Sequence, residues 1–264
     1  MHSSVLGLFD KPKVVAASSS YKPNDNFYED NSFDLGSILH SGDKLEYPKL
    51  APPAIPDNIG EFGLAELFNF FGSDKDRNGY SQIYHTLFHH LKDNPVNLLE
   101  IGIGTMIPDV SSSMVGYALD NYAPGGSLRA WSFYFPKGQI VGVDVQPDTQ
   151  FTDAERVETY LCDSMDTQKV NELGEKLDRK FDVIVDDGSH LDQHQLMTLK
   201  NFFPLVKEGG IYIIEDIYPG SMITDRPEIL SQLLPKDTPY FFVGVKNNIC
   251  VVYKQSLKSN RQGY

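Results

Sequence analysis

Asn97-Leu-Leu-Glu-Ile-Gly-Ile-Gly104 constrains this chain more than any other stretch. It reads as a buried strand that runs straight into a glycine turn, with a carboxylate, Glu100, just ahead of Gly102. A parallel α/β sheet needs small residues where strand becomes loop, so that a ligand can lie against the backbone. The stretch is not the dinucleotide fingerprint, because Ile107 stands where G-x-G-x-x-G requires its third glycine. It is not a phosphate-gripping loop either, since no Gly-Lys-Ser/Thr follows. An acid ahead of G-x-G suits a cofactor with a cationic amino-acid end, which describes S-adenosylmethionine. A simple tight turn is the competing reading.

Two further strands end in acids. Phe181 to His190 reads Phe-Asp-Val-Ile-Val-Asp-Asp-Gly-Ser-His, and Gly210 to Asp216 reads Gly-Ile-Tyr-Ile-Ile-Glu-Asp. Parallel strands bring their carboxyl ends to one edge of the sheet, where α/β proteins bind ligands. Asp186, Asp187, Glu215 and Asp216 are therefore expected to crowd together. Close carboxylates repel unless a proton or a cation intervenes, and no lysine or arginine stands beside these in sequence. Oxygen-only ligation points to a hard divalent ion, Mg²⁺ before Mn²⁺. The alternative is that each pair splits, one acid capping a helix and the other facing water.

From Pro95 onward the pattern alternates between strand and helix, which predicts a doubly wound sheet. Strands are expected near Asn97–Ile101, Gln139–Asp144, Val157–Leu161, Phe181–Asp186 and Ile211–Glu215. Helices are expected near Ser127–Tyr134, Asp166–Leu177, Leu191–Leu205 and Pro227–Leu234. Tyr240–Val245 and Ile249–Lys254, joined by Lys246-Asn247-Asn248, read as a closing hairpin. The predicted fold is thus α/β, with a mostly parallel seven-stranded sheet ending in an antiparallel hairpin. Ahead of it, Leu64–Phe71 and Gly79–Leu91 read as helices, with the polar loop Ser73-Asp74-Lys75-Asp76-Arg77 between them as a cover for a cofactor.

Residues 1–58 lack sustained periodicity and hold the extended run Ala51-Pro52-Pro53-Ala54-Ile55-Pro56. They read as an irregular arm, and 59–264 as one domain. Tyr21, Phe27, Tyr28, Phe33 and Tyr47 favour packing of that arm on the body or on a neighbouring subunit, hence a homo-oligomer. A net charge of −13 without a basic stripe argues against a nucleic-acid partner. No apolar run has the length of a membrane span. No secretory leader is evident, and Cys162 and Cys250 read as buried thiols of a reducing compartment, so the expected location is cytoplasmic.

With Glu100-Ile-Gly102-Ile-Gly104, Asp144 ending the second strand and Asp163 ending the third, residues from about Phe70 to Lys254 resemble the class I S-adenosylmethionine-dependent methyltransferases, a Rossmann-like fold. Within them, Asp186-Asp187-Gly188-Ser189-His190 and Ile214-Glu215-Asp216 are similar to the metal-dependent sugar O-methyltransferases of macrolide biosynthesis, the mycinamicin and tylosin type. Ser73-Asp74-Lys75, Gly79-Tyr80 and Pro124 to Trp131 share that resemblance. A departure is the insertion Thr105–Gly126 between the glycine turn and its helix.

The resemblance implies roles for particular residues. Asp187, Glu215 and Asp216 would hold Mg²⁺ (or Mn²⁺), and His190 would be the general base. S-adenosylmethionine would meet Glu100, Gly102 and Gly104, with Asp144 on its ribose, Asp163 and Ser164 beside its adenine and Asp186 orienting it. The acceptor would be a small hydroxylated molecule, a sugar or glycoside. The chemistry is reasonable in its own right. A cation lowers the pKa of a sugar hydroxyl, and an imidazole titrating near neutrality can take its proton.

His190 and His194 have the spacing of a zinc-binding helix face, but Leu191 stands where H-E-x-x-H needs glutamate. His85, His89 and His90 read as a half-exposed helix, and Trp131 and Phe135 as core. A nicotinamide oxidoreductase and a non-catalytic S-adenosylmethionine-binding scaffold are the alternative functions. The first lacks a Tyr-x-x-x-Lys pair, and the second has no need of a base at His190.

Overall fold

A computed structural model of the chain describes residues 51–110, 113–118, 121–236, 238 and 240–255. Most of the arm expected over residues 1–58, and the polar tail from residue 256, lie outside the described residues. The body opens with α1 (Leu64–Phe70) and α2 (Tyr80–Phe88). It continues with β1 (Asn97–Ile101), α3 (Gly126–Tyr134), β2 (Gln139–Asp144) and β3 (Val157–Leu161). Next come α4 (Thr167–Leu177), β4 (Phe181–Asp186), α5 (Asp192–Phe202) and β5 (Val206–Ile214). Short α6 (Met222–Asp225) and α7 (Leu230–Leu233) precede β6 (Tyr240–Lys246) and β7 (Ile249–Lys254).

The seven strands lie in the order β3-β2-β1-β4-β5-β7-β6. β1 to β5 are parallel, and β7 runs antiparallel to both β5 and β6. Asn247 and Asn248 turn the hairpin with φ of 48° and 61°, the double left-handed geometry that asparagine tolerates in a tight hairpin. The sheet reverses its direction of growth between β1 and β4, which is where α/β folds open a crevice.

Alternate residues of β1, β2, β4, β5 and β7 enter opposite cores. Leu98, Val183, Val185, Ile211 and Ile213 pack against α1, α2 and α3 around Trp131, which is fully buried. Leu99, Val141, Ile184, Tyr212 and Ile214 pack on the other face against α4 and α5. The strands are apolar on both faces because both faces are covered.

Three details differ from the sequence expectation. β5 starts at Val206, five residues early, because main-chain pairing with Phe181 carries on across Gly209 and Gly210. The helix expected over Pro227–Leu234 is a 3₁₀ turn, Pro227–Ile229, followed by α7. Arg226, held non-helical ahead of the proline, separates both from α6. The segment around Ser73–Arg77 is polar in sequence, yet Ser73 and Lys75 are buried.

Candidate active site

The register places the chemistry. Ile101 pairs with Asp186, and Asp186 with Ile214, so β1, β4 and β5 end flush. The residues that follow them face one cleft of about 2240 Å³, lined by Gly102, Asp144, Asp163, Asp187, His190 and Asp216 among others. Pockets for one small ligand hold roughly 300–1,000 Å³. The cleft therefore has room for two molecules side by side.

One half is a backbone cradle. Gly102 and Gly104 have φ of 89° and 85°. A side chain on Gly102 would strike the Asp187 carbonyl, and one on Gly104 the Tyr122 hydroxyl. Asp144 Oδ2 accepts from the Ile103 amide at 2.7 Å and Oδ1 from the Gln146 amide at 2.8 Å. Burial raises its pKa, and these amides partly offset that. Asp163 accepts from the Met165 amide at 3.0 Å, and the Ser164 hydroxyl from Thr198 at 3.0 Å. Asp186 accepts from the Gly188 amide and the Tyr212 hydroxyl, and burial pushes its pKa up to about 7. Sequence reading missed Asp148, which ties the Thr105 hydroxyl (2.6 Å) and the Met106 amide (2.8 Å) to the turn after β2.

The other half is the acid cluster. Donor atoms of Asp187, His190 and Asp216 all lie within 4.8 Å of one another. His190 Nε2 is 3.6 Å from Asp216 Oδ2 and 3.9 Å from Asp187 Oδ1. His190 Nδ1 is buried with no hydrogen-bond partner among the described residues, and Nε2 is the atom turned toward Asp187 and Asp216. His190 and Asp216 both adopt left-handed φ, 59° and 54°. Non-glycine residues hold such angles only when their surroundings impose them, and such residues cluster at functional sites.

Two of the expected site residues lie sealed beneath the cleft surface. Glu100 does not reach the cleft: it is fully buried and accepts from Ser127 Oγ and Trp131 Nε1, each at 2.6 Å. Burial raises its pKa. Glu215, expected as a third metal ligand, is equally sealed; both its oxygens accept from Lys75 Nζ at 2.8 Å, and the Tyr84 hydroxyl donates to one of them. No lysine or arginine stands near Asp187, Glu215 or Asp216 in sequence to supply a cation. Lys75, 1% exposed, supplies one from the turn between α1 and α2. It contacts Asp187 Oδ2 at 2.6 Å and Glu100 Oε1 at 3.4 Å, as well as Glu215. Burial opposes charge on the ammonium, but Asp187, Glu100 and Glu215 outweigh it and hold the lysine well above its ordinary value. The contacts with Asp187 and Glu215 span 112 and 140 residues of sequence. Ser73-Asp74-Lys75 stood out as a motif, yet its partners cannot be read locally.

Trp131 and Phe135 are buried core, His85, His89 and His90 are exposed, and Cys162 and Cys250 are unpaired buried thiols. His194 accepts or donates with the Ser189 hydroxyl at 2.8 Å. Among the described residues no helix is long and apolar enough to cross a membrane.

No family model matches the chain. It is 34% identical over 156 residues to the 8-demethyl-8-alpha-L-rhamnosyl tetracenomycin-C 2'-O-methyltransferase of Streptomyces olivaceus, covering 59% of this chain and 38% of that protein. It is also 34% identical over 135 residues to the mycinamicin VI 2''-O-methyltransferase of Micromonospora griseorubida, covering 51% of this chain and 30% of that one. The chain thus spans well under half the length of these curated relatives. Among solved structures, the MycE methyltransferase of mycinamycin biosynthesis, in complex with Mg, SAH and mycinamycin VI, superposes with a TM-score of 0.59. The match has 26% identity and covers 77% of this chain and 57% of that one. By fold and by sequence, the chain is similar to these O-methyltransferases.

Proposed function

We propose that this chain is an S-adenosylmethionine-dependent O-methyltransferase that uses Mg²⁺ (or Mn²⁺) and acts on a hydroxyl of a sugar or glycoside. The observation that carries the reading is the meeting of Asp187, Asp216 and His190 beside a glycine cradle in a single cleft. The relatives named above are O-methyltransferases, and neither an oxidoreductase nor a scaffold finds support among them.

The residues suit the groups they would hold. Gly102 and Gly104 allow the turn that borders the cofactor side of the cleft to pack against Asp187 and Tyr122, where any side chain would clash. Asp144, at the end of β2, retains lone pairs for ribose hydroxyls. Asp163 and Ser164 follow β3, where an acid can accept from an adenine amine. Asp187 and Asp216 offer hard oxygen donors for a divalent cation. Glu215 contributes from behind, through Lys75. Bound S-adenosylmethionine brings an already activated methyl group, and the cation makes the acceptor hydroxyl more acidic. His190 accepts the hydroxyl proton at Nε2, the ring nitrogen nearest Asp187 and Asp216. The reducing cytoplasm suits the two free thiols. The arm over residues 1–58 remains the candidate for subunit contacts or for closing the acceptor side.

The test is methyl transfer to a panel of glycosides with vicinal hydroxyls. Activity should vanish in EDTA and return with Mg²⁺ or Mn²⁺. Undiminished turnover after exhaustive dialysis against chelator would place the acids in a purely structural role. On the cofactor side, Asp144→Ala should weaken S-adenosylhomocysteine binding by roughly 2–3 kcal/mol, through loss of charge-assisted hydrogen bonds. Unchanged affinity by calorimetry would remove Asp144 from the cofactor site.

A further inference from the structure

Lys75 and Tyr80 treat the two cleft acids alike. Lys75 Nζ binds Asp187 Oδ2 at 2.6 Å, and the Tyr80 hydroxyl donates to Asp216 Oδ1 at 2.6 Å. In each acid the second oxygen is the one that approaches His190. Each aspartate thus has one oxygen tied from behind and one presented to the cleft.

The two donors also belong to one rigid turn. The Tyr80 amide donates to the Lys75 carbonyl at 2.8 Å, closing the segment on itself. The Asn78 and Gly79 amides donate to the carbonyls of Asp74 and Asp76. Asp76 anchors the turn to both flanking helices, accepting from Asn69 of α1 at 2.8 Å and from the Ser81 hydroxyl of α2. Gly79, with φ of 76°, supplies the left-handed step that starts α2 with Tyr80. An untethered aspartate rotates freely about two side-chain bonds. A donor fixed to a helix start removes that freedom before any ligand arrives, which is how outer partners set ligand orientation and affinity at metal sites.

We propose that the turn from Lys75 to Tyr80 is a positioning device, which fixes one oxygen of Asp187 and one of Asp216 and so presents the other two as a preset pair for a divalent cation. The proposal rests on the reading of those acids as the cation ligands. Tyr80 and Lys75 act through the carboxylates and are not themselves ligands.

The test uses the full chain and Mn²⁺ alone, with free ion followed by electron paramagnetic resonance. Tyr80→Phe removes a single hydroxyl and should weaken Mn²⁺ binding by about tenfold or more, within the range seen for outer partners. Asp76→Ala, which touches neither acid, should weaken it in the same direction by loosening the turn. S-adenosylhomocysteine affinity, measured by calorimetry on the same samples, should stay within about twofold of the parent; a merely structural defect would lower both. Parent-like Mn²⁺ affinity in both variants overturns the positioning role while leaving the cation site in place. Loss of both ligands in both variants also overturns it, in favour of a general packing role for the turn. A parent protein that binds no Mn²⁺ overturns the cation reading and this proposal together.

Discussion

Replacing Lys75 with methionine should cost about 3–5 kcal/mol of folding stability, the penalty for removing one partner of a buried ion cluster. The side chains are similar in length, so the loss comes from charge and not from a cavity. Glu100 and Glu215 are sealed from water, and Asp187 has its Oδ2 on the same ammonium. Without the ammonium these acids must stay charged and unpaired or take up protons. Burial already raises the pKa of both Glu100 and Glu215, and the substitution raises them further. A group whose folded pKa lies above its unfolded value stabilises at low pH and loses that contribution as pH rises through the folded value. The deficit should therefore be largest at alkaline pH and shrink as pH falls toward roughly 4.3, the ordinary glutamate value. Denaturant unfolding at several pH values measures this directly. A loss below about 1 kcal/mol at neutral pH would show that the carboxylates find compensation elsewhere.

His190→Ala should lower kcat by about 10²–10⁴-fold, the usual contribution of a positioned general base. S-adenosylhomocysteine affinity should be nearly unchanged, since the imidazole faces Asp187 and Asp216 and not the glycine turn. Proton removal at Nε2 also predicts partial rescue at high pH, where hydroxide can take the acceptor proton. Turnover within threefold of the parent, with EDTA still inhibitory, would keep the cation site and assign the base elsewhere. His194, paired with Ser189 on the same cleft wall, would be examined next.

Much of the architecture was legible from local pattern. β1 to β4 and β7 occupy the residues expected of them, because an apolar run bounded by turn residues forms a strand almost regardless of its neighbours. The hairpin at Asn247-Asn248 was legible for the same reason, since φ preference is a property of the residue itself. The acids at the ends of β4 and β5 could be brought together on paper because parallel strands share a carboxyl edge. Asp187 and Asp216 meet His190 in one cleft.

Which acids face the cleft was a different matter. Glu100 and Glu215 occupy strand positions as suggestive as those of Asp187 and Asp216, yet they point into the layer beneath α1, α2 and α3. There Trp131, Ser127, Tyr84 and Lys75 take up their oxygens. Side-chain direction alternates along a strand, but whether the inward side holds water or a lysine depends on what packs over it. For Glu215 that lysine arrives from a turn 140 residues away. The sequence by itself determined the strands, their order of carboxylates and the glycine turn, because each is set by neighbours within a few residues. Only the tertiary structure decided which carboxylates are counter-ions of Lys75 and which remain open for chemistry, because the electrostatics of a buried charge depends on every group within a few ångströms, whatever its place in the chain.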